Sequence, residues 1–375
     1  MRIVACALAA LSLAACATAP VPNMRPLNES QIAAMGPTPV VVAESNTGVT
    51  KSWFYSSSAQ AGAQFGLIGA LVSAGIDAVV NYGPSQRATK AADEIAEIMP
   101  VDALNASLAA QFRNQIAPSA AASGVTVSDV STVQKLILPG VVNDAVEVTT
   151  SYRLLEDSST LQVTVSLDYN NAAIPYVTPY TFEGSTPKSE LIGPTYRNTF
   201  TYASNQLAIP ALTPELKERL IASIEDSARD ASGALPTDGT DAFKSMTREL
   251  EQARDDNLTK AEIAIFLTRE WIKDNGALLR AEVENAHAFI ARYTLLDLNR
   301  TVVPSLEGQD EVVETMADGR TVRRMGVGVM AGSYVSSPGG VADFATYGNT
   351  VAVARAHTER IAAVRQAART RAGAQ

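Results

Sequence analysis

Apolar and polar positions alternate strictly in two neighbouring stretches. Val146, Val148, Thr150 and Tyr152 keep period two, and so do Leu161, Val163, Val165, Leu167 and Tyr169. Glu156-Asp157-Ser158-Ser159 separates them, so the pattern predicts a β-hairpin with one buried face. Further strand signals stand at Val40-Val41-Val42, Lys51–Tyr55, Val125-Thr126-Val127 and Thr199–Tyr202. A second hairpin is expected where Val312-Val313 and Thr321–Val329 flank Asp318-Gly319, a dipeptide that suits tight turns. Tyr334-Val335 extends that group.

Elsewhere the period is helical. It predicts helices through Lys90–Met99 and Leu104–Ile116. From Thr213-Pro214, a cap followed by a proline at the first helical position, Leu216, Leu220, Ile221 and Ile224 form one face, which Gly233 closes. Phe243, Met246, Leu250 and Ala253 mark the next helix. Thr259 and Glu262 have capping-box spacing and open a helix through Trp271, which Asn275-Gly276 interrupts before another helix over Leu279–Leu298. The fold class expected is α+β: antiparallel hairpins packed with helices, plus a helical segment around 212–298.

At 375 residues the chain has room for about two domains. A net charge of −9 and pI near 4.9 argue against general nucleic-acid binding, which needs a basic surface. With two cysteines the chain is no disulfide scaffold.

The beginning of the sequence is the most informative part. Met1-Arg2 precedes an apolar run, Ile3 to Ala15, that is too short for a membrane anchor and has the layout of a secretory signal. It ends in Leu13-Ala14-Ala15-Cys16, which resembles the lipobox of bacterial lipoprotein precursors. The resemblance implies cleavage before Cys16, acyl chains carried by that cysteine with palmitate among them, and attachment to a membrane. Ala17 follows where that family uses Asp for inner-membrane retention, which implies the outer membrane, facing the periplasm. The body beyond is similar to α+β envelope lipoproteins of Gram-negative bacteria.

On this reading residues 1–15 are a signal peptide and 16–37 a lipidated tether. An α+β domain spans 38–210, a helical region 211–300, a β-hairpin region 301–348 and an arginine-rich helix 349–375.

Two further features invite a functional reading. Gly62, Gly66, Ala70, Ala74 and Ala78 recur every fourth residue in the apolar segment 61–80. On a helix they make a stripe that permits close approach of another backbone, for packing within the fold or for association in a membrane. Near the end of the sequence, Arg355, Arg360, Arg365, Arg369 and Arg371 offer a cationic face for phospholipid or lipopolysaccharide phosphate, or simply a solvated face on an acidic protein.

Catalytic signals are sparse. His287 and His357 have no second histidine at helical spacing, and the apolar neighbours of His287 predict a packed core residue. Ser185 and Lys188 have S-x-x-K spacing without its companion motifs. The glycines of Gly326–Gly332 lack the strand–helix setting of a dinucleotide site, and Asp238–Asp241 lacks the ligand count of a calcium loop. No catalytic, cofactor-binding or metal residue is therefore assigned, and no cofactor is expected. The expected role is a non-enzymatic, lipid-anchored structural, interaction or assembly module that meets the membrane through Cys16 and an envelope partner or a second copy of itself. The alternatives are a membrane-active or pore-associated component using the 62–78 stripe, and a periplasmic hydrolase built on carboxylates or serine.

Overall fold

The period-two segments do pair. In a computed structural model of the chain, β4 (Val146–Leu154) and β5 (Leu161–Tyr169) form an antiparallel hairpin running from Val146↔Tyr169 to Leu154↔Leu161. The structure describes residues 23–44, 48–51, 82–116, 124–134, 142–155, 158–180, 192–208, 213–254, 260–301, 309–326 and 330–338. Cys16, the 62–78 stripe, the Ser185/Lys188 pair, His357 and the arginines from 355 to 371 lie outside them.

Within that set the fold is α+β: six helices and a nine-stranded mixed sheet. The remaining strands are β1 (Pro37–Glu44), β2 (Val49–Lys51), β3 (Thr126–Gln134), β6 (Tyr196–Ala203), β7 (Glu311–Thr315), β8 (Thr321–Arg324) and β9 (Tyr334–Ser337). Their order is β3-β1-β4-β5-β6-β9-β8-β7, with β2 beside β4. Antiparallel pairing joins β4–β5, β5–β6, β7–β8 and β8–β9. Parallel pairing joins β1 to β3 and to β4, β2 to β4, and β6 to β9. The hairpin region near residue 320 is thus the continuation of the sheet that begins near residue 37.

Alternation gives this sheet two unlike faces. Val146, Val148 and Tyr152 of β4, Val163, Val165 and Leu167 of β5, and Phe200 and Tyr202 of β6 all enter one apolar core. The intervening positions are polar, as where Asp168 opposes Arg197 and pairs with it at 2.7 Å. Helices cover the apolar face, because side chains on a half-buried sheet need a second layer to exclude water.

That layer contains α2 (Tyr82–Ile98), α3 (Val101–Arg113) and the second half of α6 (Lys260–Leu298). Leu104, Leu108 and Phe112 of α3 and Leu279, Val283, Phe289 and Ile290 of α6 meet the strands there. Helix α6 is two helices in one span. Its backbone leaves helical geometry at Lys273, and Asp274, Asn275 and Gly276 take positive φ values of 53°, 56° and 70°. Asn275-Gly276 thus breaks the helix at the expected place. The break separates a segment whose Ile263 and Leu267 pack on Leu216 and Leu220, and whose Trp271 enters the main core, from 277–298, which lies along that core.

Helix α4 (Pro214–Ala228) packs on the first half of α6 through one small cluster and on α5 (Asp241–Arg254) through another. Thr213 caps α4 by accepting from the Leu216 amide at 3.3 Å. The helix ends at Ala228, before Gly233, because Arg229 is already extended and Asp230 organises a tight loop through Ser232 and Ala234. The cap of α6 at Thr259 lies outside the described residues.

One element was not expected. Residues 29–35, within the stretch read as tether, form α1 (Glu29–Met35), closed by a reciprocal capping box between Asn28 and Gln31. Met24 and Leu27 before it are buried, and Arg25 bridges to Arg197 through both backbone groups. The signal was legible: an Asn three residues ahead of a Gln.

At the far end of α6, Asn299 accepts from the Val125 amide and donates to its carbonyl, holding the start of β3. Gly124 adjoins this clamp with φ +103°, and a Cβ there would lie 2.2 Å from Asn299 Oδ1. Only glycine fits both demands.

Candidate functional site

The ionisable side chains of α6 face the sheet, and its tyrosines meet them. The imidazole of His287 is fully buried between two partners: Tyr152 Oη lies 2.8 Å from Nε2 and Ser107 Oγ lies 2.9 Å from Nδ1. With Tyr152 donating, the neutral ring carries its proton on Nδ1 and passes that hydrogen bond to Ser107. Burial pushes the His287 pKa down to about 3. The histidine is a packed core residue, as its apolar neighbours suggest.

The same arrangement recurs twice along the helix. Tyr202 donates to Glu282 Oε2 at 2.5 Å, with the Arg320 guanidinium over the Tyr202 ring at 4.5 Å and donating to the Ala203 carbonyl at 2.6 Å. Tyr196 and Asn198 both donate to Asp297 Oδ2, at 2.6 and 2.7 Å. The other oxygen, Oδ1, is buried without a hydrogen-bond partner. Burial raises the Asp297 pKa. Near the rim, Tyr293 donates to Glu314, which Arg292 also holds.

Burial raises the pKa of Tyr152, Tyr196, Tyr202, Tyr293 and Tyr334, so none is poised to ionise near neutrality. Neither described cavity reaches His287, Glu282 or Asp297. What the three pairs do is fix register. Each joins one strand residue to one helix residue in a low-dielectric layer where an unmatched partner is costly.

Open space lies instead on both sides of α4. One cavity of about 320 Å³ sits between α4, α5 and the loop joining them, lined by Ile224, Ala228, Leu235, Pro236, Met246 and Glu249. Glu249 is buried and accepts from Ser245 Oγ at 3.1 Å. The second cavity, about 350 Å³, lies between α4 and the first half of α6, with Leu220, Ile265 and Phe266 as apolar wall and Arg219 and Arg269 as charged groups.

Composition and motif reading did not single out either arginine. A signal was present, because Arg269 stands between the apolar run Ile263–Leu267 and the buried Trp271. Among the described residues no group of three or more His, Cys, Asp or Glu is placed to hold a metal, and no helix is long and apolar enough to cross a membrane. Of the Asp238–Asp241 stretch, 238–240 form a turn and Asp241 opens α5, which Thr240 caps by accepting from the Phe243 amide at 3.2 Å. Of the Gly326–Gly332 segment, residues 327–329 lie outside the description; Gly332 turns with φ +87° just before β9.

No protein-family model, curated protein or solved structure matches the chain.

Proposed function

We propose that the protein is a lipid-anchored component of the bacterial cell envelope, attached through Cys16 and acting as a non-enzymatic interaction or assembly module at the outer membrane. The observation that carries the reading is Leu13-Ala14-Ala15-Cys16 at the end of a run of apolar and small residues whose one polar member is Ser12. Two or more lipid chains on one residue give stable membrane attachment, which a single chain does not. The folded body agrees with a binding role. Its ionisable core groups are paired and enclosed, while its cavities lie in the outer helical layer.

Metabolic labelling with a palmitate analogue tests the anchor. Incorporation that is lost in Cys16→Ser, with a precursor that accumulates under globomycin, is the expected result. An unlabelled wild-type protein overturns the reading. Cross-linking in intact cells then tests the interaction role, and turnover on a hydrolase panel that one Asp or Glu substitution abolishes would replace it.

A further inference from the structure

We infer that the cavity between α4 and the first half of α6 binds a single-chain anionic amphiphile, whose carboxylate or phosphate is held by Arg269 and Arg219 while its tail lies on Phe266, Leu220 and Ile265.

The argument begins with Arg269. Its Nε is buried with no hydrogen-bond partner, and among the described residues no carboxylate lies within ion-pair distance of its guanidinium. A buried guanidinium N–H without an acceptor is costly to keep, and here it belongs to a side chain that is otherwise half-buried. The residue also lines an open cavity, so an anion entering it meets the guanidinium. The planar fork of arginine suits the two oxygens of a carboxylate or phosphate.

Arg219 adds a second positive charge. Its side chain is 65% exposed, and its contact with Glu270 is a long one, 3.7 Å. Its guanidinium carbon lies 5.4 Å from the centre of the Phe266 ring, which orients it across the apolar wall. Glu270 is also shared with Lys273 at 3.9 Å. Asp226, the one acid of the lining, is met by Lys90 at 3.3 Å. The balance of the cavity is therefore cationic in a chain whose net charge is −9.

The rest of the lining selects the ligand class. Leu220, Ile224 and Ile265 present hydrocarbon, and Phe266 is only partly buried although it packs against the cluster of Leu216, Leu220, Ile263 and Leu267. A free inorganic anion leaves that surface wet, and an uncharged hydrocarbon leaves Arg269 unmatched. A molecule with both parts satisfies both. A volume near 350 Å³ is at the small end of ligand pockets, about 300–1,000 Å³, which favours one short chain over a diacyl lipid.

The test uses the full chain carrying Cys16→Ser, purified without detergent, and calorimetric titration with decanoate, decyl phosphate, decyltrimethylammonium and inorganic phosphate. Saturable binding of decanoate or decyl phosphate at one per chain is expected, with no binding of the cationic homologue. Arg269→Gln is expected to weaken it at least tenfold and Arg219→Gln severalfold, with thermal midpoints unchanged for the exposed Arg219. Ser223→Trp, at a half-buried lining position, is expected to fill the cavity and abolish binding, which keeps the test decisive should Arg269→Gln unfold. Equal affinity for the cationic homologue, inorganic phosphate binding as tightly as decanoate, no binding of either anionic amphiphile, or binding untouched by Ser223→Trp each overturns the inference. Because acylation at Cys16 is absent throughout, failure here leaves the anchor reading standing.

Discussion

Tyr152 of β4 and His287 of α6 share a hydrogen bond of 2.8 Å in a layer where both side chains are sealed from water. The two residues are 135 positions apart in the chain, so their meeting measures how closely helix and sheet are matched. Tyr152→Phe keeps the ring and leaves Nε2 without its donor. An unsatisfied buried polar group costs about 1–3 kcal/mol, and urea unfolding is expected to show a loss of that size. An unchanged midpoint would mean that the bond contributes nothing net.

Acid should weaken the fold through His287. Its folded-state pKa lies near 3 and its unfolded value near 6.5. Between those values the unfolded chain holds the extra proton, so the stabilisation is complete above about pH 6.5 and drains as pH falls toward 3. The slope approaches about 1.4 kcal/mol per pH unit. Carboxylates titrate in the same range, so the informative quantity is the stability gap between wild type and His287→Gln. That gap should shrink by about 1.6 kcal/mol from pH 6.5 to pH 5; a constant gap refutes the assignment.

Asp297 separates charge from hydrogen bonding. Its Oδ2 accepts from Tyr196 and Asn198, while burial raises its pKa, so enclosure penalises the charge that the two hydrogen bonds favour. An amide oxygen can accept the same two bonds. Asp297→Asn is expected to stay within about 1 kcal/mol of wild type at pH 7, whereas Asp297→Leu orphans both donors and should cost about 2–5 kcal/mol. Chemical denaturation of the pair reads the difference directly, and equal losses would defeat the distinction.

Arg320 is 5% exposed, stacks on Tyr202 and donates to the Ala203 carbonyl, with Glu282 4.0 Å away. Removing one member of a buried charged set strands the other. Arg320→Met should therefore destabilise by about 3–5 kcal/mol, and Arg320→Met with Glu282→Gln by less than the sum of the two singles. Strict additivity in a double-mutant cycle would show that the two charges do not interact.

The break in α6 rests on Gly276. Its φ is +70°, and a Cβ would come 2.3 Å from Ile98 Cγ2. Left-handed backbone costs a side-chain-bearing residue about 1–2 kcal/mol, and the contact with Ile98 adds to it. Gly276→Ala is expected to lower the thermal midpoint, and Ile98→Ala in the same chain to recover part of the loss. A neutral Gly276→Ala would argue for a different path at the break.

The amino-acid order alone determined what depends on neighbours in the chain. Alternation from Val146 to Tyr169 set which side of the hairpin is apolar, Thr213-Pro214 opened a helix, Asn275-Gly276 broke one and Asp318-Gly319 turned a hairpin. Each is decided within a few bonds by backbone sterics or a local hydrogen bond. Tertiary structure alone decided the parallel pairings of β1 with β3 and β4 and of β6 with β9, because such partners are distant in sequence and leave no local mark. It also decided which ionisable residues are enclosed. His287, Glu282 and Asp297 share a helix with Arg269, yet three found partners on the sheet and one faces a cavity, since the turn at 273–276 separates the segment of α6 that packs on α4 from the one that lies along the main core.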